Sequence, residues 1–333
     1  MQIRPPFGIP WYRILVRPFL FRFPPEPAQR VADQALAVRP VWRAYARVAN
    51  VPAVPATVAG ISLRNPIGLA AGLDKQCAYL DSLGNFGFGY VIGGTVTHDP
   101  RPGNAKPRVL RLPKQQSIIN ALGFPSEGLA AAAARLRKLQ NRPAKVFVSI
   151  AALDEQETRE CLATLEPLVD AIEVNISSPN TAGLRRFQEP AMLRGLLDLL
   201  NEARTKPLFI KIPPYMNEAE HEQIMALVRA CREAGVTGIT SGNTIPLEPA
   251  PTATGRGGLS GKAIFAEMLR ILPEVRAEAG ADMVINACGG VASVDDARRA
   301  LASGADTVQL YTSLIYKGPG VVSQIVKGLA GAQ

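Results

Sequence analysis

Eight short runs rich in apolar and β-branched residues recur after the first sixty positions, at 67–72, 90–97, 145–152, 171–177, 207–214, 238–244, 282–288 and 306–312. Their apolar character is nearly continuous rather than alternating, which is the pattern of strands buried on both faces. Segments with helical spacing separate them, among them 217–234 and 294–303, and Asn217 is suited to cap the first of these. Parallel strands joined by covering helices satisfy such a pattern. Eight units predict an α/β fold, a closed (β/α)8 TIM barrel, with an open doubly wound sheet as the alternative. Polar residues stand at the C-terminal end of nearly every run, where a barrel builds its site, and this favours the barrel.

Two connections are long, 98–125 and 246–261, and both are rich in Pro and Gly. They read as turn-ordered lids or binding loops. With 333 residues, 47% of them hydrophobic, the chain can bury one large core. The net charge of +9 suits an anionic ligand or lipid. Aromatic residues are only 6% and no nucleic-acid motif is present, so nucleic acid is not an expected partner. The four cysteines, Cys77, Cys161, Cys231 and Cys288, are far apart, and His98 and His221 lie in unrelated segments. Neither a disulfide framework nor a metal site is expected.

Residues 1–50 stand outside the strand pattern and form a separate N-terminal segment, with the barrel expected over 51–333. Residues 1–23 mix aromatic and aliphatic side chains with Arg4, Arg13, Arg17 and Arg22 and carry no acid. Pro24, Pro25 and Pro27 then break the chain, and 27–47 reads as one or two short helices broken near Pro40. A basic, apolar element of this kind can lie on an anionic membrane surface, or can pack on the outside of the barrel. No apolar run reaches the roughly 18 residues a membrane span needs.

Chemistry concentrates at the run ends. Asn175-Ile-Ser-Ser-Pro-Asn-Thr181 closes the fourth run, Lys75 follows the first, and Asn243-Thr244 closes the sixth. Lys211 lies within Phe-Ile-Lys-Ile-Pro, and a lysine inside an apolar strand must meet an anion, a carbonyl or a cofactor. Gly289-Gly290 and Tyr311-Thr312 end the last two runs, where barrels bind phosphate. No histidine is evident to activate Ser177 or Ser178, and no G-x-G-x-x-G follows the first run. The residues alone indicate a phosphate-bearing cofactor, a polar substrate with amide-like edges, and no metal.

The motifs Asn65-Pro-Ile-Gly-Leu-Ala-Ala-Gly-Leu-Asp-Lys75, Gly94-Thr-Val-Thr97, Pro102-Gly-Asn-Ala-Lys-Pro-Arg108, Asn175–Thr181, Gly257-Gly-Leu-Ser-Gly261 and Tyr316-Lys-Gly-Pro319 resemble class 2 dihydroorotate dehydrogenase over essentially the whole chain. The resemblance implies FMN-dependent oxidation of dihydroorotate to orotate in pyrimidine synthesis, with membrane quinone as acceptor. It further implies a peripheral membrane protein, held on the cytoplasmic face of the cell membrane by its N-terminal segment. By the same resemblance Ser178 is the catalytic base, with Thr181 in its proton relay and Phe124 beside it. Lys75, Asn120, Asn175, Asn180, Asn243 and Thr244 hold orotate. Ala71, Gly72, Thr95, Ser149, Asn175, Lys211, Gly261, Gly289, Gly290, Tyr311 and Thr312 surround the flavin. Lysine suits a carboxylate, and asparagine offers both donor and acceptor to amide edges.

The chain departs from the family pattern in three places. Ser149-Ile-Ala-Ala-Leu153 replaces the usual N-I-G-K-N, Ala121-Leu-Gly-Phe-Pro-Ser126 replaces R-M-G-F-N-N, and Gly242 replaces threonine. An asparagine at 149 is expected to bind flavin more tightly than Ser149. A catalytically reduced, ligand-binding homologue and a flavin oxidoreductase of different substrate are the alternative readings.

Overall fold

The computed structural model describes residues 11–178 and 184–331. Eight parallel strands close into a barrel in simple sequential order: β1 Ile67–Asp74, β2 Tyr90–Val96, β3 Lys145–Ala151, β4 Ala171–Asn175, β5 Leu208–Ile212, β6 Gly238–Ser241, β7 Val284–Cys288 and β8 Thr307–Leu310. All eight expected runs are strands, and the open sheet is excluded by the β8–β1 pairing of Val308 with Ile67. Helices cover the outside. Asn217 caps Glu218–Glu233 by accepting from Glu220 N at 3.0 Å, as its position in the sequence suggests.

Strands β4, β5 and β6 end earlier than their apolar runs, each for a local reason. β4 stops at Asn175 because the Asn175 side chain accepts from Ser177 N at 3.1 Å and turns the chain. β5 is bounded by Pro207, Pro213 and Pro214, which cannot donate to a ladder. β6 stops at Ser241 because Gly242 takes φ +102.

The barrel floor is aromatic. Tyr90, Phe147 and Phe209 stack across its interior with ring centroids 4.7 and 5.7 Å apart. A short hairpin, Ala56–Val58 with Ile61–Leu63, buries Val58 and Leu63 against this layer and plugs the N-terminal end. Each such fully buried ring contributes on the order of 2–3 kcal/mol by area alone.

The two long connections differ from expectation. Instead of turn-ordered loops they pair into one antiparallel sheet in the order Ile245–Leu247, Gly257–Gly261, Ser117–Asn120 and Val109–Leu112. This sheet stands over the C-terminal mouth, since its strands follow β2 and β6.

The N-terminal segment forms a π-helical turn, Tyr12–Val16, a short turn Arg17–Leu20, and two helices, α1 Pro25–Ala37 and α2 Arg39–Ala49. The break falls at Val38, with Pro40 in the first turn of α2, where proline costs no hydrogen bond. Leu36, Tyr45 and Ala49 join the same apolar cluster as the barrel helices. Trp42 and Tyr45 pack on Phe86 at 5.0 and 6.0 Å between ring centroids. No helix among the described residues is long and apolar enough to cross a membrane.

Candidate active site

A cavity of about 780 Å³ opens at the C-terminal ends of the strands and continues beneath α1 and the aromatic turn that precedes it. Ala71, Gly72 and Lys75 line it from the end of β1, Thr95 from β2, Asn175 and Ser178 from β4, and Lys211 from β5. Asn120 and Phe124 contribute from the connection after β2, and Asn243 and Thr244 follow β6. Gly261, Gly289, Gly290, Tyr311 and Thr312 complete the inner end. The structure therefore brings sixteen of the nineteen sequence-predicted site residues to one cavity. Asn180 and Thr181 lie outside the described residues. Ser149 is fully buried and is not among the lining residues; its hydroxyl sits 3.0 Å from Thr95 Oγ1, one layer behind the wall.

A hydrogen-bond chain fixes the polar wall. Asn243 Nδ2 donates to Ser177 Oγ at 2.7 Å, and Ser177 Oγ donates to Asn175 Oδ1 at 3.0 Å. Asn175 Nδ2 then donates to Thr95 Oγ1 at 3.2 Å. Ser177, 1% exposed, is consumed in holding the two asparagines, and it is the neighbouring Ser178 that lines the cavity. Asn243 Oδ1 also accepts from Thr244 N at 2.8 Å, so its amide is oriented from both ends.

Gly242 explains one departure from the family pattern. Its φ of +102 disfavours side chains, and a Cβ there would lie 2.4 Å from the Cys288 carbonyl oxygen. Threonine does not fit this backbone. Phe124 carries the opposite signal, a bulky residue at φ +54, held there against the core while lining the cavity.

The charges at the inner end are set by burial. Lys75 Nζ donates to Gly72 O at 2.5 Å. Enclosure pushes its ammonium down to about 8, with Asp33 of α1 opposing the shift and Arg108 adding to it. Tyr311 donates to the same Gly72 carbonyl at 3.4 Å and is pushed up to about 12, chiefly by burial. Lys211 is disfavoured by burial, but Cys288 and Glu173 outweigh that and hold it above the usual lysine range.

The outer end is apolar and is bolted to the barrel through polar groups. Phe19, Leu20, Ala32, Ala35 and Leu36 line it. Tyr12 Oη donates to Ile315 O at 2.8 Å and Arg17 Nη1 to Tyr316 O at 3.2 Å. Arg111 donates to Phe23 O at 2.9 Å with its guanidinium 4.4 Å over the Phe21 ring. Arg108 holds Glu26 of α1 at 2.8 Å.

Residues 53–332 match the dihydroorotate dehydrogenase family. The chain belongs to the dihydroorotate dehydrogenase family. It is 38% identical to dihydroorotate dehydrogenase (quinone) of Leptothrix cholodnii, over 95% of this chain and 98% of that relative. It is 37% identical to dihydroorotate dehydrogenase (quinone) of Deinococcus deserti, over 96% and 94% respectively. Among solved structures it resembles DHODH of Eimeria tenella in complex with ferulenol, with a TM-score of 0.77, 29% identity and 84% of each chain covered.

Dihydroorotate dehydrogenases are flavin-dependent, and the cavity fits such a group. Among the described residues the Gln309 amide nitrogen and oxygen and the Ser313 hydroxyl are buried without a hydrogen-bond partner, and both residues line the cavity. Buried polar atoms of this kind await a ligand or water. Gly290 has φ +74, and its Cα approaches so closely that a Cβ would lie 2.7 Å from Phe265 N. The ends of β7 and β8 are where barrels of this kind seat a phosphate.

Gln309, Glu173 and the anchoring Arg111 were not singled out from the sequence, and Arg17, read there as part of a membrane-surface element, instead bonds Tyr316 O. The signal for the first two was present. Each is a polar residue inside an apolar strand, the same feature that marks Lys211.

Proposed function

We propose that this protein is a quinone-linked dihydroorotate dehydrogenase: it oxidises (S)-dihydroorotate to orotate, with FMN as prosthetic group and a membrane quinone as electron acceptor, in the synthesis of UMP. The observation that carries this reading is the single cavity, polar and serine-bearing at the strand ends and apolar beneath the N-terminal helices. One substrate is a small polar anion and the other a greasy ring, and each matches one end. The quinone-linked relatives, similar over nearly their whole length, support the same assignment.

In this reading Lys75 pairs with the substrate carboxylate, while Asn120, Asn175, Asn180, Asn243 and Thr244 take the amide edges of the ring. Ser178 is the base that accepts the proton from the ring carbon, with Thr181 in its relay. Phe124 covers the serine and excludes water. FMN, when bound, supplies the acceptor for the hydride. Ala71, Gly72, Thr95, Lys211 and Tyr311 would hold the flavin ring and ribityl chain, and Gly261, Gly289, Gly290 and Thr312 the phosphate. Ser149 acts by fixing Thr95.

The N-terminal segment is the quinone entrance and a peripheral membrane anchor on the cytoplasmic face. Ile14, Leu15 and Phe19 are 59%, 68% and 51% exposed, with Arg13 and Arg22 among them, a composition suited to an anionic membrane surface. The test is spectroscopic. Purified protein should carry a flavin band that dihydroorotate bleaches without oxygen and a soluble quinone restores, and it should float with anionic liposomes. A colourless protein that cannot be reconstituted with FMN would overturn the reading.

A further inference from the structure

Two oppositely charged side chains are buried inside the barrel, and the scheme above uses only one. Glu173 on β4 is 0% exposed and Lys211 on β5 is 4% exposed. The carboxylate reaches across β5: its Oε2 accepts from Thr240 Oγ1 on β6 at 2.7 Å. Thr240 is the Cα partner of Lys211 in the β5–β6 ladder, and Asn175, two residues beyond Glu173, is its partner in the β4–β5 ladder. The carboxylate is thereby pinned beside the root of Lys211. Its other oxygen, Oε1, has no hydrogen-bond partner among the described residues.

The pinning is reinforced around the barrel. Asn286 Nδ2 donates to Thr240 Oγ1 at 3.4 Å, and Thr307 Oγ1 donates to Asn286 Oδ1 at 2.6 Å. Thr307 has then spent its proton, so Tyr90 Oη donates to it at 2.7 Å. A carboxylate buried alone is strongly unfavourable, and so is a buried ammonium. Cys288 on β7 is the other titratable group facing Lys211. Burial pushes its thiol up, and the neighbouring Lys211 opposes that shift.

We propose that Glu173 is a positioning residue, which holds the Lys211 ammonium at the cavity floor so that a fixed positive charge faces the electron-accepting ring bound above it. This rests on the flavin reading, but the pairing itself can be tested without flavin. Burial alone would drive Lys211 toward the neutral amine, and Cys288 and then Glu173 oppose that. The Lys211 charge then stays constant across the working pH range.

Two measurements decide it. In thermal melts of the purified protein, Lys211→Met should lower Tm more in the native background than in the Glu173→Gln background, because only the former strands a buried carboxylate. Additive losses would overturn the pairing. In the second, the visible spectrum of bound flavin is followed from roughly pH 6 to pH 10. The native spectrum should show only the step of Lys75, pushed down to about 8, while Glu173→Gln should add a second step within this range, absent when Lys211→Met is added. Glu173→Asp, which withdraws the charge from Thr240, should shift the same way and serves if the glutamine variant does not fold. Superimposed native and Glu173→Gln profiles would overturn the proposal, as would a Cys288→Val variant that reproduces the Glu173→Gln profile. Protein that binds no flavin defeats the proposed function instead, and leaves the melting cycle to judge the pair.

Discussion

If Lys75 holds the substrate carboxylate, binding must follow the protonation of a lysine whose ammonium is pushed down to about 8. The sign follows from the charged form being the binding form. Affinity is full below the folded-state value and is lost as pH rises through it. With one titrating group the apparent Kd scales as 1 + 10^(pH−8), which is within about 10% of its limit at pH 7, about tenfold weaker at pH 9 and about a hundredfold weaker at pH 10. The assay is anaerobic stopped-flow reduction of the flavin by dihydroorotate, with Kd taken from the concentration dependence and kept apart from the limiting rate, which reports the base. Asp33 is the strongest of the groups that raise Lys75, so Asp33→Asn should move the break to lower pH. Lys75→Met should weaken binding and abolish the break. A Kd that stays flat to pH 10, or an Asp33→Asn break displaced upward, would refute the assignment of Lys75.

Four further outcomes are expected. Ser178→Ala should retain flavin and slow its reduction by dihydroorotate about 10²–10⁴-fold, measured in the same stopped-flow experiment; near-native reduction at neutral pH removes Ser178 from the mechanism. Gly242→Thr should lower Tm by on the order of 5 °C or more, since it adds positive-φ strain to a Cβ lying 2.4 Å from the Cys288 carbonyl; an unchanged melt would show that the turn relaxes freely. Ser149→Asn should cost about 1–3 kcal/mol in denaturant melts without tightening flavin, because the site is fully buried behind Thr95. This reverses the expectation drawn from the family pattern, and a tighter flavin Kd at unchanged stability would restore it. Deleting residues 1–22 should abolish reduction of a long-chain quinone and liposome binding while sparing flavin reduction by dihydroorotate; a folded truncation that still turns over such a quinone at the full rate defeats the entrance role.

The eight strands were legible because a parallel barrel buries both faces of each strand, and continuous apolar runs have few other uses. Their ends were less so. An asparagine that bonds its own backbone, as Asn175 does, reads as one more polar residue at a run end until its geometry is known. The sheet over the mouth was hidden for a different reason. Its central pairing joins Asn120 to Gly258, and neither connection alternates strongly enough to announce strands whose partners lie in another part of the chain. The site residues were found by their company at the strand ends and by motif. Glu173 was missed although Lys211 was noticed, because a buried charge announces the need for a partner but not its address; the bond from Thr240 spans 67 positions.

The N-terminal segment shows why polar anchors suit an apolar entrance. A greasy segment would ordinarily be held by burying its apolar side chains, and those side chains would then be unavailable to a quinone or a membrane. Here the turns before α1 are held by hydrogen bonds with backbone carbonyls: Tyr12 to Ile315, Arg17 to Tyr316, and Arg111 to Phe23. A charged donor on a carbonyl contributes on the order of 1.5–3 kcal/mol, comparable to a buried aliphatic side chain. Phe19 and Leu20 can therefore line the cavity, and Ile14 and Leu15 can stay exposed, without loosening the attachment. Further along, α2 is fixed in the ordinary way, with Tyr45 and Ala49 in the main core. Removing residues 1–22 strips the turns before α1 and uncovers Tyr316 under Phe21, whereas removing residues 1–50 also uncovers Phe86 and the core around it. The shorter truncation can separate electron acceptance from dihydroorotate oxidation, and the longer one cannot.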